Sequence, residues 1–369
     1  MKKYLLSLAV MMMGTALFTA CDDEDNTYTP TPVAVSDGMY VVCTGNKSAS
    51  IPGSLSYYNY STGEMTLSAF SKVNGRNLGL TANDLLVYGS KVYVIVNGEN
   101  TLEVADAKTL RSLKQIKTTE MLGEQGNNPR CLTAHEGKVY YSTYGGVVAA
   151  IDTTSYRLVN TYKAGSYPED IMILNDFLYV ANSDYGNNKA PSISKINLTT
   201  KAEATFTDKL ITNPQKFYYA AGSLYFLDYG IYDSNYNQLN AGVRKISADG
   251  VVTKAFDATA AAQLNDTFYF YNAPYGSSST TFGAYSVADK KTSPLTLEGL
   301  DSPAAIGVDP VNGNLFIASL KKNPDTGYPN YRANGYVNQY TKSGELVKSN
   351  IECGTGPTAI RFNIDVKYE

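Results

Sequence analysis

A short run of β-branched and aromatic residues recurs seven times along this chain, at a spacing of roughly 40–50 residues. The runs are Met39–Val42, Val92–Val96, Val139–Ser142, Phe177–Val180, Leu224–Leu227, Phe268–Tyr271 and Leu315–Ala318. Runs of this composition are typical of β-strands, and a repeat of this length is typical of propeller blades. The pattern therefore predicts an all-β fold with seven four-stranded blades, in which each run is the second strand of its blade.

Turn-forming residues precede six of the runs and predict tight hairpins between the first and second strands. These pairs are Gly89–Ser90, Glu136–Gly137, Asn175–Asp176, Gly222–Ser223, Asn265–Asp266 and Asn312–Gly313. The innermost strands are then predicted to begin near Asn83, Pro129, Pro168, Pro214, Ala260, Pro303 and Pro357.

The two ends of the repeat region complement each other. Pro357–Phe362 has the pattern of an inner strand but no blade follows it, whereas Ser36–Gly38 resembles a hairpin turn with no inner strand before it. We expect the C-terminal strand to join the blade that opens at Met39, which closes the seven-bladed β-propeller and leaves no free sheet edge between its ends. Residues 36–369 are therefore predicted to form one domain.

Residues 1–20 have the pattern of a secretory signal, with Lys2 and Lys3 before an apolar stretch that is too short to span a bilayer. The residues before Cys21 resemble a bacterial lipobox, which predicts lipidation of Cys21; a plain cleavage site is the alternative. The acidic run Asp22–Asp25 resembles the export tag of Bacteroidetes surface lipoproteins, or else is a solvated tether. Residues 26–35 are predicted to be a flexible linker. The protein is thus expected on the extracellular face of the outer membrane, held there only by its lipid.

Composition argues against several classes of function. With 31 basic and 34 acidic residues the formal net charge is -3, and a nucleic-acid-binding protein would normally carry a basic stripe. His135 is the single histidine, which disfavours a catalytic triad or a multi-histidine metal site. No cysteines have CxxC spacing, so no metal site is predicted. Cys43 and Cys353 are expected near the closure, either as a disulfide or as buried free thiols.

The loops after the second strands are the most informative part of the sequence for function. They are long in blades 4 to 7 and rich in Tyr and Asn, in a chain with 31 Tyr and no Trp. Tyrosine offers a flat apolar face and a hydroxyl, and asparagine offers a donor and an acceptor. Long loops on one rim of a rigid scaffold predict a binding surface for a large, uncharged, amide- or hydroxyl-rich ligand. The predicted ligand-binding residues are Asn128, Arg130, Tyr144, Tyr185, Asn187, Asp228, Tyr229, Tyr232, Tyr236, Tyr275, Tyr331 and Arg332.

Two acidic motifs admit other interpretations. Glu169 and Asp170 begin an inner strand and are expected to face the central funnel, where a carboxylate pair is suited to glycosidase chemistry. Residues 233–237 resemble the first half of a calcium loop, but Gln238 stands where glycine is expected and Arg244 where the closing glutamate is expected.

The ending of the repeated strand, as in Tyr179–Asn182, resembles the YVTN/YncE-type seven-bladed propeller repeat over residues 36–364. Together with the lipobox, the acidic run and the Tyr/Asn-rich rim, the chain resembles the BtuG-type surface lipoproteins of gut Bacteroides. This resemblance implies a protein that captures cobalamin outside the cell and passes it to a BtuB-like TonB-dependent transporter. The resemblance is to the overall design and assigns no site residue.

Cobalamin fits the predicted rim chemically, because its corrin ring is flat and fringed with amides and it carries one phosphate. Arg130, Lys216 or Arg332 is the expected partner of the phosphate. The only histidine is predicted to lie on the opposite rim, so we expect bound cobalamin to keep its own base as the lower ligand of cobalt. We also expect the protein to bind cobalamin without catalysing a reaction. Two alternatives remain open: a surface glycan-binding lipoprotein, and a lactonase-type hydrolase or lyase that would use Glu169, Asp170, Asp84 and Asp228.

Overall fold

The computed structural model describes residues 32–368, which form seven four-stranded antiparallel sheets arranged as a seven-bladed β-propeller. This confirms the predicted fold. Blade 1 contains β1 (Pro32–Cys43), β2 (Ser54–Asn59), β3 (Glu64–Thr66) and, as its inner strand, β30 (Pro357–Tyr368). The predicted signal peptide, Cys21 and the acidic run lie outside the described residues.

The next three blades each use four consecutive strands, beginning with the innermost. Blade 2 contains β4 (Ala82–Tyr88), β5 (Lys91–Val96), β6 (Thr101–Asp106) and β7 (Ser112–Lys117). Blade 3 contains β8 (Pro129–His135), β9 (Lys138–Thr143), β10 (Val147–Asp152) and β11 (Leu158–Lys163). Blade 4 contains β12 (Pro168–Leu174), β13 (Phe177–Asn182), β14 (Ser192–Asn197) and β15 (Glu203–Phe206).

The last three blades follow the same order, except that a two-stranded hairpin interrupts blade 5. Blade 5 contains β16 (Pro214–Ala220), β17 (Ser223–Asp228), β20 (Gly242–Ile246) and β21 (Val252–Phe256), and the hairpin is β18 (Ile231–Tyr232) with β19 (Gln238–Leu239). Blade 6 contains β22 (Ala260–Leu264), β23 (Thr267–Asn272), β24 (Thr281–Ser286) and β25 (Lys291–Leu295). Blade 7 contains β26 (Ser302–Val308), β27 (Leu315–Leu320), β28 (Asn334–Tyr340) and β29 (Leu346–Thr355).

Short helices occupy connections between strands. Two are α-helical, α1 (Ala69–Asn74) and α2 (Thr118–Leu122). Single 3-10 turns cover Lys47–Ala49, Asn97–Glu99, Gly123–Gly126 and Asp184–Gly186. No helix in the described part of the chain is both long and apolar enough to span a membrane.

The core lies between neighbouring blades, which explains why the second strands are apolar on both faces. In β5, Val92 and Val94 pack in a cluster with blade 1, whereas Tyr93 and Ile95 pack in a cluster with blade 3. Successive side chains of a strand point to opposite faces, so a strand sandwiched between two sheets needs an unbroken apolar run. This is the signal that the sequence repeats seven times.

The ring closes as predicted, because β30 pairs with β1 from Pro32 opposite Tyr368 to Cys43 opposite Pro357. The propeller starts earlier than the predicted boundary at residue 36, so the linker prediction is wrong for residues 32–35. Residues 364–368 extend β30 and pair with residues 32–36, which makes those N-terminal residues part of β1. Ser36–Gly38 is a β-bulge inside β1, where the register shifts by one residue, and not the predicted hairpin turn.

Most predicted hairpins are present, and Asn175 and Asp176 both have positive φ, as a two-residue turn of the hairpin type requires. Two differ from the prediction. The turn before β17 is Ala221–Gly222, since Ser223 already pairs with Ala220. Residues 309–314 form a six-residue loop before β27, because the Asp309 side chain accepts hydrogen bonds from the backbone of Val311 and Asn312.

Cys43 and Cys353 are buried free thiols in the apolar cluster between blades 1 and 7. The Cys43 thiol donates to the backbone oxygen of Val41 and the Cys353 thiol to that of Gly354. The neighbouring Cys43 side chain and burial together raise the pKa of Cys353. Of the two arrangements left open by the sequence, the structure contains the reduced one.

Candidate functional site

The inner strands begin at the same rim where the second strands end. Pro129 pairs with Thr143 and Pro168 with Asn182, so the loops before each inner strand and the loops after each second strand lie side by side. We call this the loop rim. The hairpins between first and second strands, including His135, lie on the opposite rim.

Within the part of the chain whose side chains the structure describes, exposed tyrosines are confined to the loop rim. Among the described side chains, the exposed tyrosines range from 38% to 74% exposed, and all of them lie in the loops or in the β18–β19 hairpin of this rim. We call this set the tyrosine crown; it consists of Tyr167, Tyr185, Tyr232, Tyr236, Tyr275, Tyr328 and Tyr331. Exposed aromatic rings gathered on one face of a soluble domain are typical of a binding surface.

Three tyrosine rings of blades 3 and 4 form the densest part of this surface. The ring centroid of Tyr144 lies 5.0 Å from that of Tyr167 and 5.8 Å from that of Tyr185, and the latter two are 5.2 Å apart. The 3-10 turn that carries Tyr185 is fixed by Asp184, whose carboxylate accepts hydrogen bonds from the Ser166 hydroxyl and the Lys189 backbone. The backbone turn that carries Tyr185 is therefore fixed by hydrogen bonds within its own loops.

An ion pair connects this cluster to the centre of the ring. Arg130 donates from Nε to Glu169 Oε2 at 2.7 Å and from Nη1 to Asn83 Oδ1 at 2.8 Å. The Tyr144 hydroxyl donates to the other Glu169 oxygen, and the Arg130 guanidinium lies 4.8 Å from the Tyr144 ring centroid. Burial and the Glu169 carboxylate raise the pKa of Tyr144, so the hydroxyl stays a hydrogen-bond donor.

The loops of blades 5 and 6 are joined into a second tyrosine-bearing surface. The β18–β19 hairpin presents Tyr232 and Tyr236, and Gln238 exchanges hydrogen bonds with the backbone of Tyr275 in blade 6. Gln238 also donates to the backbone oxygen of Tyr229, which lines the central cavity. Burial raises the pKa of Tyr229 to about 12, so this hydroxyl is neutral at physiological pH.

The prediction that Asp228 binds ligand is wrong. Its side chain is completely buried, and its carboxylate accepts hydrogen bonds from the backbone of Thr212, Asn213 and Gly230. These donors are backbone groups of two loops that would otherwise lack partners, so Asp228 fixes the loops and offers no free oxygen to a ligand.

The remaining predicted residues are on the loop rim but belong to different blades. Asn128 and Asn187 are exposed, in the loops before β8 and after β13. Tyr331 and Arg332 are exposed in the blade 7 loop, and Asn46 of blade 1 donates to the backbone oxygen of Tyr331. The structure thus brings Arg130, Tyr144 and Tyr185 together and leaves Arg332 in a separate part of the rim.

A cavity of about 170 Å³ lies at the centre of the ring, where the inner strands begin. One side is charged and the other is lined mainly by alanine. The charged side chains are Asp84, Arg130, Glu169, Asp170, Lys216 and Arg361, and the alanines are Ala260, Ala261, Ala304, Ala305 and Ala359. Glu169 and Asp170 face the funnel, as the sequence predicted.

Asp84 joins three blades at this cavity. It accepts hydrogen bonds from Arg361 of the closing strand at 2.6 Å and from the backbone of Leu132 in blade 3 at 2.9 Å. Asp170 of blade 4 makes the corresponding contact with blade 5, where it accepts a hydrogen bond from the backbone of Phe217 at 2.8 Å. These carboxylates hold the inner strands in register around the ring.

Other motifs have structural explanations. His135 lies on the opposite rim, with Nε2 at 3.8 Å from Asp176 Oδ1. Asp233 accepts hydrogen bonds from Asn235 and Asn237 and closes a turn. Within residues 32–368, no three His, Cys, Asp or Glu side chains are arranged to hold a metal ion.

Tyr167, Tyr328 and Arg361 are not among the site residues predicted from the sequence. Tyr167 comes directly before Pro168, the first residue of an inner strand. The loops before the inner strands lie on the same rim as the loops after the second strands, so their tyrosines belonged in the same prediction. Arg361 is hidden in the closing strand, and only the closure itself places it beside Asp84.

A family model described as "Domain of unknown function (DUF5074)" matches residues 37–352 of this chain. No curated protein matches it significantly. Among solved structures, a protein from Bacteroides fragilis provisionally described as a 6-phosphogluconolactonase is 14% identical, with a TM-score of 0.56, covering 92% of this chain and 100% of that one.

A protein from Bacteroides uniformis with the same provisional description is 13% identical, with a TM-score of 0.54, and covers 89% of this chain and 100% of that one. The structure described as streptogramin B lyase is 14% identical, with a TM-score of 0.52, covering 78% of this chain and 94% of that one. At these identities the likeness extends to the propeller fold alone.

Proposed function

This chain belongs to the DUF5074 family, and we propose that it is a surface lipoprotein that binds cobalamin on the tyrosine crown and passes it to a TonB-dependent outer-membrane transporter. The observation that supports the proposal is that the exposed tyrosines of the described residues all lie on one rim, around a small central cavity. The lipid anchor at Cys21 and the extracellular location are part of the proposal and follow from the N-terminal sequence pattern.

The size of the cavity determines where such a ligand binds. A volume of about 170 Å³ is below the range of roughly 300–1,000 Å³ that is usual for drug-sized ligands, and a corrinoid is larger still. A corrin ring must therefore lie across the rim, above the cavity mouth. Tyr185 and Tyr275, which are 65% and 63% exposed, offer aromatic faces there without any rearrangement of the core.

The chemistry of the rim suits a ligand fringed with amides. Asn128 and Asn187 are exposed and each can donate and accept hydrogen bonds. The Arg130 side chain already has carboxylate and amide partners in Glu169 and Asn83, so the exposed Arg332 is the better partner for a phosphate at the surface. We further propose that the protein acts by binding and release and not as an enzyme.

Calorimetric titration of the purified protein with cyanocobalamin tests this proposal. We expect binding at micromolar concentration or below, and a weaker affinity for Tyr185→Ala and Tyr275→Ala. Removal of an anchoring aromatic side chain from the centre of an interface costs about 2 kcal/mol or more, which is roughly 30-fold in affinity. Val251→Ala, which removes an exposed apolar side chain elsewhere on the propeller, is the matched control.

Absence of heat with cyanocobalamin at micromolar concentration would contradict the proposal. Surface oligosaccharides are the alternative ligands, because exposed tyrosines also stack on sugars. Binding of an oligosaccharide that is lost in the Tyr185 and Tyr275 variants would then assign the crown to glycan capture.

A further inference from the structure

The charged groups of the central cavity are unequally paired. Arg361 and Asp84 form one ion pair at 2.6 Å, and Arg130 and Glu169 form another at 2.7 Å. Among the described residues, Lys216 has no carboxylate oxygen within 4 Å and no hydrogen-bond partner for Nζ, which lies 5.5 Å from the Tyr218 ring centroid. Asp170 accepts one hydrogen bond, on Oδ2 from the Phe217 backbone, and its Oδ1 accepts none from these residues. Lys216 Nζ and Asp170 Oδ1 therefore both lack a hydrogen-bond partner among the described residues, and both residues line the cavity.

A primary carboxamide satisfies both groups at once. Its oxygen accepts from an ammonium and its N–H donates to a carboxylate, while the total charge of the cavity stays unchanged. A small anion would satisfy Lys216 alone and would place a second negative charge beside Asp170, which is unfavourable in a partly buried site. We propose that this cavity is a subsite for one primary carboxamide arm of the ligand that covers the crown, with its oxygen on Lys216 and its nitrogen on Asp170.

The shape of the cavity agrees with a short amide arm. A volume of about 170 Å³ corresponds to roughly five or six water molecules, which is enough for an acetamide or propionamide group. Ala261 of blade 6 and Ala304 and Ala305 of blade 7, the two blades that follow the Lys216 strand around the ring, offer methyl groups against which the methylenes of the arm can pack. The cavity lies at the rim end of the inner strands, so an arm enters it from a ring lying on the crown.

The electrostatics of the two free groups are consistent with this role. Burial, together with the positive charge of Arg361, lowers the pKa of Lys216 to about 8. Burial raises the pKa of Asp170 to about 6. At pH 7 the lysine is mostly protonated and the aspartate mostly ionised, which is the state that a carboxamide needs. The other titratable or charged groups that face the cavity are Asp84, Arg361, Arg130, Glu169, Cys131, Tyr218, Tyr229 and Tyr271.

Ligand-observed NMR tests the subsite without depending on cobalamin. Saturation transfer from the purified protein to propionamide should be observed at millimolar concentration, should be weaker for sodium propionate, and should be lost in Lys216→Met and in Asp170→Asn. Lys245→Met is the matched control, because Lys245 is an exposed lysine on β20 of the same blade. Circular dichroism checks that each variant is folded. Stronger transfer to propionate, or equal transfer in the Lys216→Met and control variants, would overturn the inference.

A second experiment uses cyanocobalamin as the ligand, and its interpretation rests on the proposed function. Loss of a hydrogen bond to a charged group should lower the affinity of Lys216→Met by about 10- to 150-fold relative to Lys245→Met. If the wild-type protein binds propionamide but not cyanocobalamin, the proposed function fails and the subsite remains. If it binds cyanocobalamin and both lysine variants bind equally well, the subsite inference fails and the proposed function remains.

Discussion

The contact between Asp84 and Arg361 predicts how strongly the closure of the ring depends on one buried carboxylate. Asp84 is 4% exposed, and its oxygens accept hydrogen bonds from Arg361 at 2.6 Å, from the Leu132 backbone at 2.9 Å and from the Leu85 backbone at 2.9 Å. Asp84→Asn keeps the shape but leaves the Arg361 guanidinium without its counter-charge. Removal of one partner from a fully buried ion pair costs about 3–5 kcal/mol. The Arg361 side chain is 33% exposed, so water partly solvates the charge left behind, and we expect a loss of about 2–3 kcal/mol in unfolding free energy.

Urea denaturation of the purified protein, followed by circular dichroism at pH 7, measures this loss. The double variant Asp84→Asn/Arg361→Met should be destabilised by clearly less than the sum of the two single variants, because neither charge is then left unpaired. Asp325→Asn, an exposed aspartate in the blade 7 loop, is the control and should change stability by no more than about 0.5 kcal/mol. A cost for Asp84→Asn no larger than this control, or strict additivity in the double variant, would refute the idea that this pair secures the closure.

Three further predictions follow from the same structure. Deletion of residues 357–369 removes the inner strand of blade 1 and exposes the edge of β1, so the truncated chain should fail to give a monodisperse folded species in gel filtration; a stable monomer would argue against closure by β30. Affinity for an amide-bearing ligand should be bell-shaped in pH, because Asp170 loses its charge below about 6 and Lys216 above about 8; a flat calorimetric profile between pH 5 and 9 would contradict these roles. Bound cobalamin should keep its own base on cobalt, because His135 lies on the opposite rim, and an absorption spectrum of a histidine-ligated cobalt would be incompatible with that arrangement.

The fold was largely predictable because its signals are local. Each second strand is sandwiched between two sheets and needs an unbroken apolar run, and each run can be recognised without knowing its neighbours. The start of the domain was not predictable in this way. Residues 32–36 are strand only because residues 364–368 lie beside them, and that pairing joins opposite ends of the chain.

The site was predictable in composition but not in detail. Tyr185, Tyr236 and Tyr275 are exposed on one rim as expected. Long loops at the rim of a propeller lie outside the packed sheets, so many of their side chains remain in contact with solvent. Asp228 shows the limit of this reasoning, because spacing cannot distinguish a carboxylate that faces a ligand from one that satisfies loop amides. Among the described residues Lys216 has no ion-pair partner, and this depends on how side chains from several blades are placed around the cavity, which the linear sequence does not show.

A crystal structure of the protein with cyanocobalamin tests the central claim most directly. We predict that the corrin ring lies across the tyrosine crown, in contact with Tyr185 and Tyr275, with one amide arm directed into the cavity towards Lys216. A corrinoid bound to the opposite rim or to the outer strands of the blades, with the crown left open to solvent, would contradict the account.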